Sequence, residues 1–447
     1  MRKVALLGMT ALALPVAAAA EQNAVTPSPL EPVPAASPPN VQPLPVAPEP
    51  VATMPQGPNK WFASDAMALL TVVEGIASEG LEPADYDGAG LSAAIATGEG
   101  PELDAFADRV FAWLIEDLRD GRTPMEARKQ WFVVDPDADA IPTEAVMAEA
   151  LASHDIAGVI AKLAPTNPDY AALKAALAET PASETKRIAM IQANMDRWRW
   201  LAHDLGQQYL LTNVPEFQLR LTVNDKIVRT YKTIVGKPGK TATPQLAETV
   251  EGVIFNPTWT VPQSIVKGEG LGAKVLGNPA WAKAAGYKAT KGANGFVNVV
   301  QQPGPGNSLG MMKLDMPNEH AIFLHDTPSR TLFGADMRAL SHGCIRTERA
   351  LELAITMAIL GKGVDKDEAV AISTSGKYTR VALQKTFPVY ITYFTMGRDI
   401  NGTLRTFDDI YGRDAPVVAS FDQPRIANRA RKTDEEVIEI VDDLQTS

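Results

Sequence analysis

A short segment from His325 to Ala354, HDTPSRTLFGADMRALSHGCIRTERALELA, collects the residues best suited to covalent chemistry. It contains Cys344, the single cysteine among 447 residues, and two of the five histidines, His325 and His342. A thiol attacks only as its thiolate, so a reactive cysteine needs a histidine within hydrogen-bond reach and positive surroundings. His342 lies two residues before Cys344, and His325 lies nineteen before it. This pattern favours nucleophilic catalysis by Cys344.

The residues beside Cys344 agree with that chemistry. Gly343 permits a tight turn, so the N–H groups of Gly343 and Cys344 can point at a developing oxyanion. Arg346 offers a planar fork for a substrate carboxylate. A helix with Thr347 as N-cap and Gly361 as its stop is predicted next, and its positive N-terminal end would favour the thiolate.

Other readings of the segment remain open at this point. The two histidines can be structural and Cys344 can be an inert, buried residue. A zinc site built from Cys344, His325, His342 and Asp326 is a further alternative, but the spacing fits no common zinc pattern. The sequence therefore predicts no metal and no cofactor.

The first twenty residues have the features of a secretory signal peptide. A basic start with Arg2 and Lys3 precedes a short apolar run and small residues that end at Ala20, the predicted cleavage site. The apolar run falls short of the roughly 20 residues that a membrane-spanning helix needs. We therefore expect an exported protein with no membrane span in the mature chain. A lone thiol in an oxidising compartment has no intramolecular partner, which favours a functional role for Cys344.

Composition excludes some classes of function. Hydrophobic residues make up 45% and charged residues 21%, as in ordinary soluble proteins, and the length suggests two or three domains. The formal net charge is −11, and no dense face of Lys and Arg is visible. We therefore expect no nucleic-acid partner.

Patterning along the chain predicts an α+β protein. Residues 21–58 are rich in proline and read as a disordered linker. Residues 59–185 read as a mostly helical domain, and 186–206 as an amphipathic connecting helix in which Trp198 and Trp200 are packing residues.

From residue 207 onward the period changes to that of strands. Residues 207–397 read as a β-rich domain with a turn at Asn224-Asp225, one helix after the cysteine, and FPVYITYFTM as the last strand. Residues 398–447 read as a tail that carries the polar helical segment KTDEEVIEIVDDL.

The spacing of the reactive residues resembles the signature of a known family. His325, a gap of fifteen residues, and the run Ser341 to Arg346 (SHGCIR) resemble the L,D-transpeptidase (YkuD-type) catalytic domain. The surrounding FNPTWTVPQSI and FLHDTPSRTLF resemble the YcbB-like branch of that family, and GLEPADY and RWRWL resemble its N-terminal scaffold domain. The resemblance spans roughly residues 60 to 415.

This resemblance implies roles for individual residues. Cys344 corresponds to the nucleophile and His325 to the general base. His342 and Gly343 match the dipeptide beside the nucleophile, where the backbone helps to form the oxyanion site. Arg346 matches an arginine that orients the substrate.

Three further features complete the implied substrate site. Ser341 and Asp326 join Arg346 as substrate-binding candidates, and residues 265–300 occupy the place of a capping lid. The small peptidoglycan-binding domain usual in this branch is absent, since only AETPASETK separates the helical part from RIAMIQANMDRWRW.

The implied reaction is a 3→3 cross-link between peptidoglycan tetrapeptide stems, which act as donor and acceptor. An L,D-carboxypeptidase and a lipoprotein-anchoring acyltransferase use the same site and stay open, and carbapenem β-lactams are expected inhibitors. A sortase-like or papain-like transferase also needs Cys, His and Arg, but SHGC with an upstream histidine argues against both. A catalytically silent wall scaffold is the last alternative.

Overall fold

The computed structural model describes residues 59–437, except 135–136, 225, 269, 294 and 428–429. The predicted signal peptide (1–20), the predicted proline-rich linker (21–58) and the last ten residues of the predicted tail lie outside these residues. Predictions about them stay predictions.

Helices dominate the first part of the described chain, as the sequence predicts. They are α1 Ala63–Gly75, α2 Gly88–Thr97, α3 Pro101–Asp120, α4 Asp137–Ala140, α5 Thr143–Ser153, α6 Ile156–Ala161, α7 Pro168–Glu179 and α8 Thr185–Arg199. Leu69, Phe111 and Leu114 belong to their shared core and are fully buried. Helix α3 ends at Gly121, which is the stop that the sequence predicts.

Helix α8 is the predicted connecting helix, although it ends at Arg199 rather than at residue 206. Trp198 and Trp200 are 5% and 4% exposed and pack in a core shared with strands of the following domain, so their predicted packing role is confirmed. The buried Asp196 carboxylate accepts the N–H groups of Arg122 and Thr123 at 2.7 and 2.9 Å. These bonds tie the connecting helix to the helical domain.

A β-rich domain follows, so the predicted α+β class is confirmed. Its strands are β1 Gln208–Asn213, β2 Gln218–Val223, β3 Lys226–Gly236, β4 Leu246–Phe255, β5 Trp259–Thr260, β6 Tyr287–Lys291, β7 Val297–Gln301, β8 Met312–Asp315, β9 Leu324–His325, β10 Ala339–Ser341, β11 Ile345–Thr347, β12 Thr379–Thr392, β13 Met396–Arg398 and β14 Leu404–Thr406. Its helices are α9 Gln263–Gly268, α10 Leu271–Gly277, α11 Pro279–Ala284, α12 Ala350–Leu360, α13 Lys366–Thr374 and α14 Asp414–Phe421.

Nine of these strands form one mixed sheet in the order β10-β3-β11-β9-β8-β4-β12-β1-β2. Because β3 also pairs with β2, the strand order returns on itself. Helix α12 packs its buried residues Leu353, Ala354 and Met357 into the apolar core under this sheet. One face of the sheet is thereby covered, and on the other face Tyr209, Leu211 and Tyr390 of β1 and β12 pack against the core that contains Trp198 and Trp200.

The start of α12 differs from the sequence prediction. Thr347 is the last residue of β11, and the N-cap of α12 is Arg349 with φ 50°. Five residues therefore separate Cys344 from α12, and the three extended residues of β11 alone span about 10 Å at ~3.3 Å per residue. The helix does not begin at the sulfur, and the prediction of Thr347 as N-cap is wrong, whereas the stop at Gly361 is confirmed.

Residues 259–301 form a small unit of their own, and they include the predicted lid of residues 265–300. Strands β5, β7 and β6 make a separate three-stranded sheet, and helices α9 to α11 pack on it. Trp259, Val275 and Val299 are buried in its own apolar core. The segment is therefore a folded unit rather than a simple loop.

The chain beyond residue 397 is also folded, which corrects two predictions. FPVYITYFTM is not the last strand, because β13 pairs with β14 in a hairpin that follows it. Residues 398–421 of the predicted tail contain β14 and α14, and Val417 of α14 is buried against the connecting helix region. Residues 432–437 of KTDEEVIEIVDDL are not helical. No helix in the described ranges is both long and apolar enough to cross a bilayer.

Candidate active site

Strand pairing brings the predicted site residues onto one face of the sheet. Strand β9 pairs in parallel with β11, with His325 opposite Arg346 and Leu324 opposite Ile345. Leu324 and Ile345 point into the apolar core, so His325 and Arg346 point to the opposite face, because side chains alternate along a strand. Cys344 directly precedes β11, two residues before Arg346. This pairing brings together two chain segments whose residues His325 and Cys344 are nineteen positions apart in the sequence.

The cysteine lies at the end of a tight turn before β11. It is 5% exposed, and its thiol Sγ lies 3.6 Å from the carbonyl oxygen of Ala321. Gly343 has φ 119°, a conformation that a residue with a Cβ rarely adopts. The turn therefore requires glycine at position 343, as the sequence predicts.

Ser341 holds this turn together. Its hydroxyl donates to the Cys344 carbonyl at 2.6 Å and accepts from the Gly343 N–H at 3.2 Å. The Gly343 N–H is thus engaged by a side chain, which corrects the prediction that it points at an oxyanion. Ser341 is 1% exposed, so these contacts make it a support of the nucleophile turn rather than a group facing the substrate.

His325 is placed to act as a base. Its Nδ1 lies 2.5 Å from the backbone oxygen of Asp326, and because a carbonyl only accepts, Nδ1 carries the proton and donates. The lone pair therefore belongs to Nε2, which is buried and has no hydrogen-bond partner among the described residues. Burial, together with the positive charges of Arg346 and Lys313, lowers the pKa of His325 to about 3. The ring is therefore neutral at neutral pH and can accept a proton.

Asp326 helps to hold His325 in position. Its carboxylate accepts the Met311 N–H and the Arg330 guanidinium, each at 2.9 Å, and its own side chain is 1% exposed. These bonds fix the backbone carbonyl on which His325 rests. The contacts give Asp326 a positioning role, which replaces the predicted substrate contact.

Two further predicted residues lie close to the cysteine. Arg346 is 2% exposed, and its charge acts on His325, as the pKa of that ring shows. His342 is half-buried within the turn. Arg346 is therefore the residue of β11 that pairs with His325, whereas His342 lies in the turn before the strand.

A second group of residues supports the turn from behind. The Thr243 hydroxyl donates to the Gly343 carbonyl at 2.8 Å and accepts the Gly236 N–H at 2.9 Å. The Tyr411 hydroxyl donates to the Gly236 carbonyl at 2.5 Å and accepts the Thr243 N–H at 3.3 Å. The guanidinium of Arg413 donates to the Thr243 carbonyl at 3.1 Å. The segment predicted as a tail therefore reaches the nucleophile turn.

Sequence reasoning missed Lys313 of β8. This lysine lies opposite His325 in the antiparallel β8–β9 pair, and its ammonium lies 3.7 Å from the ring centroid of Phe323. The run Met312-Lys313-Leu314 alternates buried, half-buried and buried, so a strand pattern was present. That pattern places Lys313 away from the core but gives no sign of its neighbours. Within the described residues, no cluster of three or more His, Cys, Asp or Glu could hold a metal ion.

Comparison with protein families agrees with this geometry. Residues 207–391 match the family model described as the L,D-transpeptidase catalytic domain, YkuD, and residues 57–177 match the model described as the Scaffold domain. A Haemophilus influenzae protein named "Putative L,D-transpeptidase" is 28% identical over 223 residues, which cover 46% of this chain and 45% of the relative. The chain thus spans somewhat less than half the length of that relative.

Solved structures with some likeness include two L,D-transpeptidases. One is a cysteine-to-serine mutant of the Enterococcus faecium enzyme, at 15% identity over 42% of this chain and 50% of the other, with a TM-score of 0.21. The other is from Mycobacterium smegmatis, at 13% identity over 42% of this chain and 58% of the other, also with a TM-score of 0.21. At these scores the likeness carries no weight for the fold or the site.

The buried neutral state of His325 predicts a pH dependence of stability. Because its pKa is about 3 in the folded protein and 6.5 in a model peptide, the unfolded chain binds one more proton between these values. This contribution to stability is complete above about pH 6.5 and is lost as the pH falls toward 3, by roughly 1.4 kcal/mol per pH unit. We expect His325→Gln to flatten the free energy of unfolding between pH 7 and pH 4.5, measured by urea unfolding. The comparison concerns slopes, so a pH-independent packing cost cancels. Equal slopes in the two proteins would contradict the burial of a neutral ring.

Thr243→Val tests the support behind the nucleophile turn. Valine keeps the shape but leaves the Gly236 N–H and the Gly343 carbonyl without their hydroxyl partner, at a cost of about 1–3 kcal/mol for each buried group. We expect a free energy of unfolding lower by about 2 kcal/mol or more, with Thr243→Ser close to the wild type. Thr241→Val is the matched control, since the Thr241 hydroxyl makes only one bond, to the Lys237 carbonyl at 3.3 Å. Equal losses in Thr243→Val and Thr241→Val would show that the turn does not depend on this hydroxyl.

Proposed function

Because the chain carries a YkuD-type L,D-transpeptidase catalytic domain together with a Scaffold domain, we propose that it forms 3→3 cross-links between peptidoglycan stems through a thioester on Cys344. The observation that carries the proposal is that Cys344 directly precedes β11, the strand that pairs with β9, where His325 presents its proton-accepting Nε2. A nucleophile and a base in that arrangement support acyl transfer.

The first half of the reaction forms the thioester. Cys344 attacks the carbonyl carbon at the L-centre of the third residue in a tetrapeptide stem. His325 takes the thiol proton at Nε2, while its Nδ1–H remains bonded to the Asp326 carbonyl. The C–N bond to terminal D-alanine breaks, and D-alanine leaves with the proton that His325 returns. The acyl group is then bound to sulfur.

The second half resolves the thioester. The side-chain amine of a second stem attacks the acyl carbon, the C–S bond breaks, and an amide forms. His325 accepts a proton from the attacking amine, and the sulfur is released as the thiolate. The two halves give ping-pong kinetics, since D-alanine leaves before the acceptor binds.

The oxyanion of each tetrahedral intermediate needs donors. The predicted N–H of Cys344 stays a candidate, whereas the Gly343 N–H donates to Ser341. Arg346, buried on the same face, supplies positive charge beside the reacting carbonyl. We assign it to the substrate carboxylate next to the scissile bond.

The unit of residues 259–301 supports an amine acceptor over water. Phe323, two residues before His325, packs against the core of this unit as well as against the main core. The unit therefore borders the site directly, and it can exclude water from the thioester as a lid. Water would give an L,D-carboxypeptidase, and a lipoprotein lysine would give an anchoring enzyme.

The same unit has the charge to attract stems. Residues 265–300 contain five lysines and one acidic residue, in a chain whose formal net charge is −11. All five are exposed, and none has a carboxylate within 4.0 Å in the described part of the chain; they are Lys267, Lys274, Lys283, Lys288 and Lys291. Stem peptides carry free carboxylates. A basic lid can therefore compensate for the peptidoglycan-binding domain that the sequence lacks, and we place the reaction in the periplasm.

The proposal is tested with purified protein and disaccharide-tetrapeptide muropeptides. We expect dimers with 3→3 links and released D-alanine, identified by mass and fragmentation, and no product with Cys344→Ala. His325→Gln is expected to reduce the rate by about 10² or more, within the range usual for loss of a general base. Tripeptide without any dimer would replace the proposal with carboxypeptidase activity, and activity retained in Cys344→Ala would overturn the mechanism.

A carbapenem is expected to acylate the protein once, on Cys344. The thiolate attacks the strained lactam carbonyl in the same way as the stem, and the C–N bond of the ring opens with no leaving group lost. Intact mass should rise by the mass of one inhibitor, and Cys344→Ala should stay unmodified. An unchanged mass after prolonged exposure of the wild type would contradict the assignment of the nucleophile.

A further inference from the structure

Lys313 is a half-buried cation that the mechanism above does not use. In the register of the sheet, Lys313 of β8, His325 of β9 and Arg346 of β11 lie side by side. Met312 and Leu314 point into the core, so the Lys313 side chain shares the face of the other two. Cys344 directly precedes β11, and its charge interacts with that of Lys313. Lys313 is therefore part of the nucleophile's surroundings.

The Lys313 ammonium is held by an aromatic ring rather than by a carboxylate. It lies 3.7 Å from the centroid of the Phe323 ring, whose edge in turn meets the His325 ring at a centroid distance of 5.6 Å. No carboxylate lies within 4.0 Å of it in the described part of the chain; the nearby Asp315 is bound at 2.5 Å by Arg380. A ring attracts a cation without cancelling its charge. The positive field of Lys313 therefore remains available to its neighbours.

The charges around Cys344 are mostly positive. Lys313 of β8 and Arg346 of β11 lie on either side of the neutral His325 of β9 in the sheet, while His342 lies in the turn that holds Cys344. The acidic groups nearest to these strands are Asp315 and Asp326, and each forms an ion pair with an arginine. The balance of charge at this face favours an anion.

A neutral base leaves the thiolate without its usual counterion. In a cysteine–histidine ion pair the imidazolium stabilises the thiolate, but burial and the two cations keep the His325 ring neutral. Burial lowers the pKa of Lys313, whereas Cys344 raises it. An interaction between two charges has the same energy for both, so the same contact favours the ionised sulfur.

We propose that Lys313 is a positioning residue that acts by its charge to hold the Cys344 sulfur as a thiolate, while His325 stays neutral and handles the protons of the reaction. The proton of the resting thiol then passes to solvent before the donor stem binds, so the proton that Nε2 of His325 gives to the leaving D-alanine is taken up from solvent instead of directly from the thiol. The inference rests on the proposed role of Cys344 as the nucleophile. It deepens that role by naming the counterion.

The experiment uses the single cysteine of the chain. The rate of alkylation of Cys344 by iodoacetamide is followed by intact mass from pH 5 to pH 10 in the full folded protein, with no peptidoglycan present. We expect Lys313→Met to move the midpoint of this profile upward by about one pH unit or more, since a cation within ~4–6 Å typically shifts a pKa by 1–3 units. Lys313→Arg should keep the midpoint within a few tenths of a unit.

Two variants separate charge from structure. Lys385→Met removes an exposed lysine of β12 and should leave the profile unchanged, which controls for net charge. Phe323→Leu removes the ring that holds the ammonium and should shift the midpoint in the same direction as Lys313→Met but by less. If Lys313→Met does not fold, the Phe323→Leu shift decides the question. A profile unchanged in Lys313→Met, or shifted equally in Lys313→Arg, would overturn the proposal.

Stem turnover distinguishes this failure from failure of the proposed function. If Lys313 instead bound a substrate carboxylate, Lys313→Met would raise KM for the tetrapeptide and leave the alkylation profile in place, which would overturn the proposal. If the chain made no cross-links at all, the alkylation shift would still stand, because alkylation needs no stem. The expected result is a shifted profile with a lower kcat/KM at neutral pH that recovers at higher pH.

Discussion

The parallel pairing of β9 with β11 is the constraint on which the site depends. It joins two segments that lie nineteen residues apart and sets His325 beside Arg346, with Leu324 and Ile345 buried beneath them. Because the side chains of a strand alternate, a slip of one residue would move His325 into the apolar core. The same apolar contacts that stabilise the domain therefore fix which groups face the substrate.

Support for the nucleophile turn comes from distant parts of the chain. The Gly343 carbonyl accepts from Thr243, and Thr243 in turn bonds to Tyr411 and Arg413. Arg413 also bonds to Gln130, which lies between α3 and α4 of the helical domain. These groups are buried or half-buried, so each lost partner would leave a polar group unsatisfied. The helical domain and the folded C-terminal segment thus contribute to the geometry of the turn without contacting the sulfur.

Local patterns in the sequence were enough to predict the fold class, which the structure confirms, and to propose Cys344 and His325 as the reactive residues. Cys344 and His325 are recognisable by residue type and spacing, and the change from helical to strand periodicity near residue 207 marks the two parts. Thr347 was mistaken for an N-cap because it is a polar residue just before an apolar helical run. The last residue of a short strand in that position has the same sequence pattern as an N-cap. Lys313 was missed because its role arises from pairing between strands, and Thr243 and Tyr411 because theirs arise from hydrogen bonds between distant loops. No short window of the sequence encodes either kind of contact.

The positively charged residues around the site form two groups with different roles. The chain as a whole is acidic, with a formal net charge of −11. Lys313 and Arg346 nevertheless lie beside His325 in the sheet, and five exposed lysines lie on the unit of residues 259–301. Lys313 and Arg346 are partly or fully buried. Because charges interact more strongly away from water, these two cations act on the sulfur and the histidine. The lid lysines are in solvent and screened beyond about 10 Å at ordinary salt, so they act on an incoming stem only at close range. A buried neutral base is compatible with a reactive thiol because the positive charge that the thiolate requires is supplied by residues that do not exchange protons in the reaction.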